Sequence, residues 1–123
     1  MGKLSLILNE RECFMEGNLM HNCVHRCYWN KITAGNYLLA HGTIGDEYVD
    51  YGITVNWHEG ELLTDQIHTI RNGNVSREAV DYCCDWLQGN KNELLTIADE
   101  IRKKKMNDRY VLPEPPQEVD IPF

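Results

Sequence analysis

The feature that most restricts the fold is the run Val49, Tyr51, Ile53, Val55 and Trp57, in which apolar residues alternate with their neighbours. A period of two belongs to a β-strand that lays one face on a core. His58-Glu59-Gly60 follows as a turn and Leu62 to Ile70 as a further strand, so this stretch predicts an antiparallel hairpin. Upstream, the mostly apolar run Asn36 to Thr43 and the segment Leu4-Ser5-Leu6-Ile7-Leu8 supply two more strand candidates.

Helices flank these strands. Asn9 is placed to cap a short helix with Glu12 at the reciprocal capping position, and Gly17 is its expected end. From Leu19, the residues Leu19, Met20, Cys23, Val24, Cys27, Tyr28 and Ile32 recur at four-residue steps and predict one continuous helix with an apolar stripe, stopped at Gly35. After the break at Asn72-Gly73-Asn74, Ser76 caps a helix that ends at Gly89, and Asn90 with Glu93 caps the last one. The basic run Arg102-Lys103-Lys104-Lys105 suits the negative end of that helix. The whole predicts an α+β domain over residues 1–112, a small antiparallel sheet of three to four strands packed against helices at both ends of the chain. Residues 113–123, opened by Pro113-Glu114-Pro115-Pro116, read as an extended acidic tail whose Val119, Ile121 and Phe123 would dock on the domain or on a second copy in a homodimer.

Composition narrows the function classes. A chain of 123 residues supports one core. Its apolar runs fall far short of the roughly 20 residues that span a bilayer. With no basic-then-apolar leader, a cytoplasmic protein without membrane contact is expected. Five cysteines, Cys13, Cys23, Cys27, Cys83 and Cys84, form no secreted disulfide pattern and are read as reduced thiols. A formal charge of −7 argues against direct nucleic-acid binding. The charge is also uneven: Asp46, Glu47, Asp50, Glu59, Glu61 and Asp65 fall between positions 46 and 66 with no Lys or Arg among them.

The densest chemistry lies in Met20 to Cys27, where His21, Cys23, His25 and Cys27 alternate. Two imidazoles and two thiolates suit tetrahedral zinc. On a helix, however, residues two apart point about 200° away from each other, which separates the histidines from the cysteines. No metal or other cofactor is therefore assigned. A second reading makes Cys23 a nucleophile, activated by His21 if the helix begins at about Asn22 and leaves His21 on the preceding loop, and otherwise by His41, His58 or His68 arriving from the sheet. The third makes the cysteines small core residues, the reading that best suits Cys27, Cys83 and Cys84.

Glu16-Gly17, Met20-His21-Asn22-Cys23-Val24, Tyr28, Ile32 and Gly35, followed in order by Gln66, Asn72 and Trp86, resemble the motif series of PcfJ-like domains of conjugative plasmids and phages. The resemblance spans residues 9 to 88. It departs from the family at Asn22, where many relatives carry a second histidine or another residue, and in the acidic stretch Gly42 to Tyr51. It implies that His21, Cys23, Gln66 and Asn72 converge in one polar pocket, and it sets the chain in a mobile element.

Three functions follow as expectations. The first is a small accessory or counter-defence protein that binds a host or mobile-element protein, with Asp46, Glu47, Asp50, Glu59 and Glu61 imitating the charge of nucleic acid in a partner's basic groove. The second is a hydrolase or transferase with Cys23 as nucleophile and Gln66 or Asn72 orienting the substrate. The third is a pocket that sequesters a nucleotide-like ligand on Arg71 and the helix start at Ser76.

Overall fold

A computed structural model describes residues 2–22 and 24–111, the side chains of Arg26 and of 106–111 excepted. Cys23 and the tail 113–123 lie outside the described residues. Along the chain run β1 (Gly2–Leu6), α1 (Glu10–Met20), α2 (Val24–Thr33), β2 (Tyr37–Ile44), β3 (Glu47–Asn56), β4 (Glu61–His68), a 3-10 turn (Ile70–Asn72), α3 (Arg77–Gly89) and α4 (Lys91–Val111). Among the described residues the four strands make one antiparallel sheet in the order β1-β2-β3-β4. The expected α+β class is the observed one. No helix among the described residues is long and apolar enough to cross a membrane.

The two-residue period divides the sheet into two differently covered faces. Leu38 and Ala40 of β2 and Val49, Tyr51, Ile53 and Val55 of β3 pack with Ala79, Cys83 and Leu87 of α3 and Leu94 and Ala98 of α4. On the opposite face Tyr37 and Leu39 pack with Cys13 of α1 and with Val24 and Ile32 of α2. The residues between the apolar positions of β3 thus lie under helices instead of facing water, and this creates the site.

In β4 the period breaks. Leu62 and Ile67 both serve the α3/α4 core although they are an odd number of residues apart. The ladder slips to allow it: Gly52 is opposite Gln66 and Ile53 is opposite Thr64, leaving Asp65 as the extra residue of a β-bulge. Beyond the bulge, Gln66 and His68 turn toward α1 and α2.

Four sequence expectations need correction. Gly17 does not end α1, which continues to Met20. A β-carbon at Gly17 would lie 3.3 Å from the Asn22 carbonyl oxygen, so this glycine serves the close approach of the following loop. Nor is there one helix from Leu19: His21 takes the left-handed conformation (φ 53) and ends α1, and α2 begins afresh at Val24. As a result Leu19 is exposed, as is Cys27, and neither belongs to a core stripe. Cys83 is buried as expected, while Cys84, on the outer side of α3, is exposed. Finally, the Asn9 and Ser76 side chains accept from Glu12 N and Ala79 N as predicted, but the Asn90 side chain donates back to the Trp86 carbonyl and closes α3 instead of opening α4.

Candidate acid–base cleft

Three strands set a polar row beneath α1 and α2. His41 on β2 is opposite Asp50 on β3, which is opposite His68 on β4. The adjacent row is Leu39, Gly52 and Gln66. Above them α1 supplies Glu16, and the loop between the helices supplies Asn22.

Among the described residues Glu16 and Asp50 are the two buried acids, at 4% and 5% exposure. Glu16 Oε1 accepts from Tyr48 Oη at 2.9 Å and lies 2.9 Å from His41 Nδ1, which is itself 2.7 Å from the Tyr48 oxygen. Burial pushes the Glu16 carboxyl up, but hydrogen bonds from His41, Asp50 and Tyr48 outweigh it and hold it below the usual range. The same bond to Glu16 raises His41 against the opposing effect of burial, which favours the charged form of this pair. Asp50 goes the other way. Burial first, then the hydrogen bond and charge of Glu16, push it up to about 9, against a smaller opposite pull from Asn22. Two like charges this close cannot both ionise, and one proton joins them. Glu16 Oε2 and Asp50 Oδ1 accept from no N–H or other described donor, which leaves the proton as the link between the two carboxyls. Asn22 donates from Nδ2 to Asp50 Oδ2 at 3.3 Å while its Oδ1 accepts from Val24 N at 3.1 Å, so the residue that starts α2 also holds the neutral acid.

A cavity of about 230 Å³ opens against this floor, bordered by Asn22, Asp50, Gly52, Gln66, His68 and Asn72 with Val24, Tyr28 and Leu39. None of these is Lys or Arg. The three non-glycine residues in the left-handed region among those described stand at its two ends: His21 (φ 53) next to Asn22, and Arg71 and Asn72 (both φ 58) in the 3-10 turn that packs on α1. Such backbone costs on the order of 1 kcal/mol per residue and collects at working sites.

The structure thus brings Gln66 and Asn72 into one cleft with the loop between α1 and α2, but through Asn22. His21 is exposed and does not border the cavity; its backbone N–H closes α1 on the Asn18 carbonyl. Cys23, the proposed nucleophile, lies outside the described residues. The acidic hairpin is not one face. Asp50 is buried, the Glu47 carboxylate accepts from both the N–H and the hydroxyl of Ser76, and Glu61 pairs with Lys91 at 3.1 Å. Only Asp46 and Glu59 of the five stand fully exposed, in the turns at opposite ends of β3. The anion site expected of Arg71 and Ser76 is corrected by the same contacts: Glu47 already occupies the start of α3, and Arg71 points from a separate exposed turn. No group of three or more His, Cys, Asp or Glu among the described residues is placed to hold a metal ion.

Glu16, His41, Tyr48 and Asp50 as a proton-sharing cluster were missed in the sequence. Polar His41 inside the mostly apolar strand β2 was the signal that could have found them.

Comparison of the chain with known protein families, with curated proteins and with solved structures finds no match in any of the three. The site's own chemistry therefore carries the functional reading.

Proposed function

We propose that the protein is a small acid–base enzyme of the hydrolase or transferase class, whose cleft takes an uncharged polar group of a small substrate. One observation carries this reading: His68 Nδ1 is a buried polar atom without a partner among the described residues, and His68 borders one cavity together with Asp50, which stands opposite it on β3. Buried polar atoms are normally paired, and an exception on a residue that lines a cleft beside a protonated acid indicates a site. Asp50 keeps a proton near neutral pH and serves as general acid, with Glu16 as the second seat of that proton. Gln66 and Asn72 orient the substrate. The absence of Lys and Arg from the lining, with the Glu16 carboxylate behind it, disfavours phosphate.

A screen of small neutral fragments by ¹⁵N-resolved NMR tests the proposal. Shift changes should gather at Asn22, Asp50, Gly52, Gln66, His68 and Asn72. Fragments that bind elsewhere, or none that bind, would overturn it.

A second reading keeps the partner-binding accessory protein of the mobile-element setting. It is favoured by the exposed Phe14, Met15 and Leu19 along α1, an apolar stretch that a protein partner would cover. On this reading the contact runs through α1, with Asp46 and Glu59 as outlying charges.

A further inference from the structure

Resting on the cleft as a ligand site, we infer that His68 is its proton acceptor, held in one tautomer by the series Asp65, Tyr37 and Gln66, and that the ligand presents an N–H or O–H to His68 Nδ1. The direction of each bond follows from the one before. A carboxylate only accepts, so Tyr37 Oη donates to Asp65 Oδ2, at 2.8 Å. The phenol hydrogen is then committed, and the Tyr37 oxygen can only accept from Gln66 Nε2, at 3.4 Å. That orients the amide: its Oε1 faces His68 Nε2 at 2.9 Å, and an amide oxygen requires a hydrogen on that nitrogen. In a neutral imidazole the hydrogen on Nε2 leaves Nδ1 bare, and Nδ1 is the ring atom that has no partner among the described residues.

The chain's own geometry keeps this series in place. Asp65 reaches Tyr37 because it is the extra residue of the bulge, and Tyr37 stacks on Tyr28 with ring centroids 4.7 Å apart. Directly across from His68 on β3 is Asp50, whose proton is shared with Glu16, so this acid is not a competing carboxylate partner for Nδ1. His68 borders a cavity of about 230 Å³, room for a group the size of a carboxamide, and Nδ1 is its buried, unpartnered ring atom among the described residues. In the proton-transfer step the X–H bond of the ligand breaks, its electron pair stays on X, and the proton forms the Nδ1–H of an imidazolium that Gln66 Oε1 still accepts from at Nε2.

Long-range ¹H–¹⁵N NMR of the histidine rings tests this on the intact chain. His68 should show a protonated Nε2 and a bare Nδ1. Titration with acetamide should move the Nδ1 resonance more than titration with N,N-dimethylacetamide, which has no N–H. A His68 found protonated at Nδ1, or moved equally by both probes, overturns the role assigned to it while the cleft reading stands. If acetamide leaves every cleft resonance unmoved, the cleft reading itself falls.

Discussion

The phenol oxygen of Tyr37 stands 1.9 Å from where a β-carbon on Gly52 would be. Tyr37 is 2% exposed, bonded to Asp65 and stacked on Tyr28, so it has no free rotamer to retreat to. Gly52→Ala should therefore destabilise the fold by about 1–3 kcal/mol, the usual cost of overpacking. Urea unfolding measures it, and an unchanged midpoint would mean that the ring moves aside cheaply.

The Asp50 carboxyl makes stability depend on pH in a defined sense. Its pKa is raised in the folded state, to about 9, so its contribution is complete below the ordinary carboxyl range and is lost as pH rises toward that value. The slope of this loss is at most about 1.4 kcal/mol per pH unit. Asp50→Asn keeps the shape, accepts from Asn22 and donates to Glu16 without a proton to lose. Between pH 5 and 9 the variant should gain on the wild type steadily with rising pH, in urea midpoints measured across that range; parallel curves would show that Asp50 is not the protonated partner.

His41 contributes in the same sense and Glu16 in the opposite one. With His41 raised, its stabilisation holds at low pH and fades as pH climbs through its folded-state pKa. With Glu16 lowered, its share is present above the ordinary carboxyl range and is lost on acidification through its own folded value. His41→Gln should remove its own share of the alkaline fade, leaving that of Asp50, and lift the Glu16 titration, which ¹³C NMR of the Glu16 carboxyl would record as an upward shift.

Glu47 closes the start of α3 by accepting twice from Ser76. Glu47→Ala should cost about 1 kcal/mol, the scale of a lost cap. Asp46→Asn with Glu59→Gln should stay within about 0.5 kcal/mol of the wild type, as exposed substitutions do. The contrast in thermal melts separates structural acids from those left for a partner.

Thiol labelling orders the cysteines. Burial, then the nearby acids, push Cys13 up to about 11, and burial with Cys84 pushes Cys83 up to about 12. Both should resist iodoacetamide in the native protein at pH 8, while the exposed Cys27 and Cys84 react. The same peptide digest reads Cys23, whose rapid alkylation well below pH ~8.5 a nucleophile would require.

The strands and helices were largely legible because each is written in local periodicity. Val49 to Trp57 alternates as a strand must, and Asn9 and Ser76 cap the helices that follow them. The break at His21 escaped because four-residue spacing continues on either side of it, and spacing does not register one left-handed residue. The cleft was legible only as Gln66 and Asn72 and a neighbouring loop. Asp50 looked like a solvent-facing acid because alternation separates the two faces of a strand but says nothing of what covers the second one.

What the sequence determined by itself is therefore the α+β class, the hairpin and most helix limits, all set by contacts between residues near in the chain. Tertiary structure alone decided the register slip that turns Gln66 and His68 inward, the helices over Asp50, and the proton it shares with Glu16. Those depend on desolvation and on partners about 30 residues away, and a charge acquires its chemistry from such surroundings.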